Sequence, residues 1–86
     1  MRGWAQVWTH AFLAAAHCAD GDVARGQEEL DAALELNPSL AEVYWADMYF
    51  WNKSEDVRPM IDAVNQGLEA CGWDVPPDPG REVFAQ

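Results

Sequence analysis

The chain has 86 residues and a mass of 9.6 kDa, which is room for one small domain. Half of the residues are apolar and 23% are charged, a composition that argues against intrinsic disorder. Five Lys and Arg against fifteen Asp and Glu give a net charge of −10. Because phosphate binding needs a basic surface, we expect neither nucleic acid nor an anionic membrane as a partner.

The low-charge run over residues 4–19 has the general layout of a secretory signal. Its apolar core is short, and polar residues such as His10 and His17 interrupt the run, which favours an amphipathic first helix over about residues 4–18. The apolar stripe of this helix is Val7, Ala11, Ala14 and Cys18. No stretch approaches 18 uninterrupted apolar residues, so we predict no membrane-spanning helix.

Two turn signals bound the second helix, which we predict over about residues 23–36. Asp20-Gly21-Asp22 precedes it, with Gly21 suited to a left-handed turn and either Asp suited to cap the helix. Asn37-Pro38 ends it, because a residue before proline avoids the helical region.

The third helix is predicted over about residues 40–52, with Ser39 and Glu42 spaced as a capping box. It is rich in aromatic and apolar residues, so we expect it to be covered on more than one side. A fourth helix is predicted over about residues 57–71, with Asp56 as its cap and Pro59 in its first turn.

The character of the chain changes after Gly72. Three of the four positions 76–79 are proline, which favours an extended path. We therefore predict one helical domain over residues 1–73 and an extended or frayed tail over residues 74–86. Val83 and Phe84 could dock as a short apolar plug.

The two cysteines, Cys18 and Cys71, fall at the ends of the first and fourth helices. Four helices in alternating antiparallel order would place these two ends on opposite sides of the bundle, beyond the reach of a disulfide. We therefore expect free thiols in a reducing compartment, which predicts a cytoplasmic location.

Residues 7–40 resemble a tetratricopeptide repeat. The resemblance lies in the second half of the repeat, and the residues that match are Gly26, Leu30, Ala33, Leu34 and the ending Leu36-Asn37-Pro38. A second, degenerate repeat at 41–74 has Tyr44 and Trp51 at the aromatic positions, but Asp47 falls on an apolar position. A shift of one residue fits Trp45 and Met48 instead, so the register of the third helix stays open.

This resemblance implies an all-α fold of four antiparallel helices, stacked as two helix-turn-helix hairpins with the proline-rich tail beyond them. An unrelated four-helix bundle is the alternative. Two repeats leave apolar flanks uncovered, since about three are normally needed for stability. Self-association, a larger parent protein or a tail folded back as a cap would cover them.

The resemblance also implies a concave wall that binds a peptide or a partner helix. The residues that it assigns to this wall are Trp8, Glu42, Trp45, Tyr49, Asn52 and Lys53. The other interpretation, that Trp8, Trp45 and Tyr49 fill the core, stays open. Aromatic anchors with a few polar groups suit a binding hot spot.

The predicted function is therefore a non-enzymatic protein-protein interaction module, and its acidic faces favour a basic partner. One alternative is a structural homodimer that uses the same aromatic face, and another is an acidic regulator or inhibitor of a basic protein. The sequence carries no nucleophile, phosphate-loop or paired metal-ligand motif. We therefore predict no catalytic residues, no metal and no cofactor.

Overall fold

The computed structural model of this chain describes residues 2–51 and 55–84, with side chains over 5–50 and 56–83. The described part is all-α, as predicted. Its four helices are α1 (Arg2–Ala19), α2 (Val23–Leu36), α3 (Leu40–Trp51) and α4 (Arg58–Ala70). None of these helices is long and apolar enough to cross a membrane.

The turn before α2 forms as its sequence predicts. Gly21 has a φ of 93°, a left-handed conformation that glycine adopts without strain. The Asp22 side chain caps α2 by accepting a hydrogen bond from the backbone N–H of Arg25 at 3.3 Å. Asn37 follows the last residue of α2 in an extended conformation, so the Asn37-Pro38 stop is confirmed.

The starts of α3 and α4 compare differently with their predicted caps. The α3 helix begins at Leu40, directly after the predicted cap Ser39, whose backbone N–H donates to Asn37 Oδ1 at 3.0 Å. Before α4, Asp56 lies inside a 3₁₀ turn, and the N-cap of α4 is Val57, which makes no side-chain capping bond. The prediction of Asp56 as the cap was therefore wrong, because the added turn moves the start of α4 along the chain.

Small residues let two helices approach α1 closely. A methyl group built on Gly26 of α2 would lie 2.1 Å from Cys18 Sγ. One built on Gly67 of α4 would lie 2.3 Å from the backbone oxygen of Ala15. Since neither distance is possible for a real side chain, both glycines are required by close helix packing. The α1 helix therefore lies at the centre of the fold.

The cysteine prediction was wrong: Cys18 and Cys71 form a disulfide, with Cα atoms 5.4 Å apart. The C-terminal ends of α1 and α4 meet at the same side of the fold, whereas alternating antiparallel helices would have placed them at opposite sides. Both residues are buried. The nearby Gln27 side chain donates to the Cys71 carbonyl at 2.8 Å, so α2 also contacts the end of α4 beside the disulfide.

Candidate functional site

Two adjacent faces of α3 are buried, as its composition predicts. One face carries Leu40, Tyr44 and Met48, each fully buried. The next face carries Trp45 and Tyr49, each only 6% exposed. The first face packs into the helical core, and the second is covered by the chain that follows α4.

The segment that covers this second face is the tail, defined here as residues 74–83. Residues 73–80 have no regular secondary structure, and a 3₁₀ turn follows over Arg81–Phe84. The indole N–H of Trp45 donates to the Pro76 carbonyl at 2.7 Å. Just before the tail, the Trp73 ring lies 5.4 Å from the Tyr44 ring. Over this range the tail is docked on α3 and is not frayed.

A second anchor holds the tail two residues further along, at Asp78. Tyr49 Oη lies 2.7 Å from both carboxylate oxygens of Asp78 and donates its proton to one of them. Arg58 donates from the same guanidinium nitrogen to Asp78 at 2.9 Å and to Tyr49 Oη at 3.1 Å. The backbone N–H of Gly80 donates to Asp78 Oδ1 at 2.9 Å. We call Tyr49 and Arg58 the carboxylate clamp.

The electrostatics of the clamp favour the ionised form of Asp78. Partial burial alone would raise the pKa of this carboxyl, but hydrogen bonds from Tyr49, Gly80 and Arg58 outweigh it and hold the pKa below its usual range. Burial, reinforced by the hydrogen bond to Asp78, raises the pKa of Tyr49. The hydrogen bond to Asp78 raises the pKa of Arg58. At neutral pH the clamp therefore holds a carboxylate with a neutral phenol and a charged guanidinium.

The clamp borders an open cleft of about 310 Å³ between α3, α4 and the tail. Its lining includes Tyr49, Arg58 and Asp78, together with the tail residues Gly80, Arg81 and Glu82. The guanidinium of Arg81 lies 4.6 Å from the centre of the Tyr49 ring, a cation–π distance. The end of the tail thus contacts Tyr49 of the clamp through Arg81.

Trp8, a predicted wall residue, belongs to the core. It is 1% exposed, and its indole N–H donates to Asp47 Oδ2 at 2.9 Å. This hydrogen bond explains why an Asp stands at a position of α3 where the repeat pattern has an apolar residue. The carboxylate accepts the hydrogen bond that a buried indole N–H requires.

The other predicted wall residues separate into three cases. Trp45 and Tyr49 lie together, on a face that is buried beneath the tail. Glu42 is exposed and takes no part in that contact. Asn52 and Lys53 lie outside the described residues.

Sequence reasoning missed the partners of this face, which are Arg58, Pro76 and Asp78. The available signal was a lone acidic residue within the proline-rich run Val75-Pro-Pro-Asp-Pro-Gly80. Such a run is extended and exposes its carbonyls, which suits it to an aromatic wall.

Among the described residues, no group of three or more His, Cys, Asp or Glu is placed to hold a metal ion. No match was found when the chain was compared with models of protein families, with curated proteins and with solved structures. The resemblance to a tetratricopeptide repeat therefore stays a prediction.

Proposed function

We propose that this chain is a non-enzymatic protein interaction module whose binding surface is the outer aromatic face of α3. We call this surface the α3 groove and define it by Trp45, Tyr49 and Arg58. Its ligand is an extended, proline-containing segment of a partner protein. The observation that carries the proposal is the hydrogen bond from the Trp45 indole to the Pro76 carbonyl, with the tail lying along the groove.

The chemistry of this contact suits peptide recognition in general. Proline-rich segments are already extended before they bind, so little conformational entropy is lost on docking. Aromatic-lined grooves recognise them through ring contacts and through hydrogen bonds to backbone carbonyls. An indole has a large apolar face and one donor, which lets Trp45 supply both kinds of contact.

The tail acts as an intramolecular occupant of the same groove. A tethered segment has an effective concentration of about the millimolar range or higher, so a partner must compete with it. The apparent affinity for a partner is reduced by the fraction of molecules whose groove is closed. Variants that loosen the tail without altering the groove should therefore bind a partner more tightly.

Tail docking also weakens the case for the homodimer. That alternative depended on an aromatic face too large for the chain to cover, and the tail covers Trp45 and Tyr49 within one chain.

The compartment that we propose for this protein differs from the predicted cytoplasmic location. Because disulfides persist in oxidising environments, the Cys18–Cys71 bond favours such a compartment.

The test is a peptide titration followed at a single indole. The peptide is this chain's residues 74–82, DVPPDPGRE, which contains no tryptophan. It is added to the full chain carrying Asp78→Ala, which removes the acidic anchor of the tail and leaves the groove unchanged. The matched control is Asp74→Ala, which makes the same change of charge at an exposed tail position.

The readout is the indole N–H signal of Trp45 in nitrogen-15 correlation spectra, assigned by its loss in Trp45→Phe. We expect the peptide to shift this signal at lower concentration in the Asp78→Ala chain than in the control. If Asp78→Ala does not fold, Pro77→Gly replaces it, because glycine raises the entropy of the released tail. No shift at Trp45 up to millimolar peptide in any folded variant refutes the proposal.

A further inference from the structure

We infer that the α3 groove selects ligands with a carboxylate two residues after the proline whose carbonyl binds Trp45. This inference rests on the proposed function and names the ligand class: extended segments of the form Pro-x-Asp, supplied by a partner protein. Pro76 and Asp78 of the tail have this spacing.

Contacts other than those to Asp78 help to position the clamp. Tyr49 is buried on a helix. Arg58 is held by a second ion pair, since its Nε donates to Asp62 Oδ1 at 3.0 Å within α4. The Arg58 guanidinium also lies 5.9 Å from the centre of the Trp45 ring. These contacts place both donors beside the indole that binds the proline carbonyl.

Two independently placed contacts define the spacing. The Trp45 donor and Tyr49, the clamp residue on α3, lie about one helical turn apart, since residues 45 and 49 share a face. An extended segment advances about 3.1 Å per residue, so two residues span about 6 Å, close to the 5.4 Å pitch of a helix. A carbonyl at Trp45 thus brings the side chain two residues later to Tyr49.

The local charge at the clamp differs from the charge of the whole chain. The net charge of −10 favours a basic partner at long range, but the groove itself presents Arg58 to the ligand. A carboxylate accepts from both Arg58 and Tyr49, and a charged acceptor strengthens both bonds. An amide at the same place keeps one acceptor oxygen and loses the ion pair.

The experiment compares two peptides on the same folded protein. They are DVPPDPGRE and the same sequence with asparagine at the position that corresponds to Asp78, DVPPNPGRE. Each is titrated into the full Asp78→Ala chain, or into Pro77→Gly if the first does not fold. The Trp45 indole signal reports binding.

We expect the asparagine peptide to bind about five- to tenfold more weakly, a modest factor because the ion pair is partly exposed to solvent. Adding Arg58→Gln should remove most of this difference. Arg25→Gln, the same change at an exposed position on α2, should preserve it.

The outcomes distinguish the carboxylate preference from the proposed interaction module. Equal binding of both peptides at Trp45 overturns the carboxylate selection and leaves the interaction module standing. A preference that survives Arg58→Gln also overturns it, since the clamp would not be its source. Binding of neither peptide refutes the proposed function and this inference together.

Discussion

The disulfide between Cys18 and Cys71 gives the sharpest prediction for stability. The bond joins residues 53 positions apart and closes a loop that runs from the end of α1 to the end of α4. Cross-linking a loop of this length lowers the entropy of the unfolded chain by about 14 cal/mol/K, which is worth about 4 kcal/mol at 25 °C. Native proteins have free energies of unfolding of only about 5–15 kcal/mol, so reduction should remove a large share of the stability.

The assay is urea unfolding followed by far-ultraviolet circular dichroism, with and without dithiothreitol. Reduction should lower the free energy of unfolding by about 2–4 kcal/mol. It should also steepen the decrease of this free energy with urea concentration, because the reduced unfolded chain exposes more surface. A chain with both Cys18→Ala and Cys71→Ala is the control. It should resemble the reduced protein and show no response to dithiothreitol.

Two results would contradict this reasoning. The first is a mass spectrum of the protein, purified without reductant, in which both thiols react with an alkylating reagent. The second is a loss of stability under about 1 kcal/mol on full reduction. The first result would mean that the Cys18–Cys71 bond does not form in the purified protein. The second would mean that the reduced, unfolded chain already keeps them close.

Three further predictions concern packing and charge. Gly67→Ala should lower the free energy of unfolding in urea by at least about 2 kcal/mol, since the added methyl group meets the backbone of α1. Gln66→Ala, at the neighbouring position, should change it by under about 0.5 kcal/mol. Trp8→Phe should lower the free energy of unfolding by about 2 kcal/mol or more, because it removes the donor to Asp47. In a double-mutant cycle with Asp47→Leu the two losses should be coupled, and strictly additive losses would refute the hydrogen bond. The lowered pKa of Asp78 means that its stabilising effect is complete above about pH 4 and is lost as the pH falls through the folded-state value. The protection factors of the tail amides, which compare the measured exchange rates with the intrinsic rates at the same pH, should therefore fall in acid, and an equal fall in Asp78→Asn would count against this cause.

The helices were predictable because their signals are local. Asp22 and Gly21 identify the turn before α2, and Asn37-Pro38 identifies its end, through bonds between residues that are near in sequence. The predicted ranges 4–18 and 23–36 match α1 and α2 to within two residues. The start of α4 was less predictable, because a 3₁₀ turn and a cap compete for the same residues.

Pairings between distant residues were harder to predict from a single sequence. The Cys18–Cys71 bond was excluded on an assumed helix order, and only the path of the chain shows that the two ends meet. Asp47 looked like a departure from a pattern until its partner Trp8 was known. In both cases each residue has several chemically acceptable partners, and nothing in the local pattern selects among them.

The sequence by itself determined the all-α class, the turns on either side of α2 and the aromatic surplus of α3. It also predicted an extended path for the proline-rich tail. Only the tertiary structure decided that this tail lies on Trp45 and Tyr49, held by a proline carbonyl and by Asp78. Helix formation depends on neighbours within about four residues, whereas docking of the tail depends on the shape and charge that α3 and α4 acquire only when packed together.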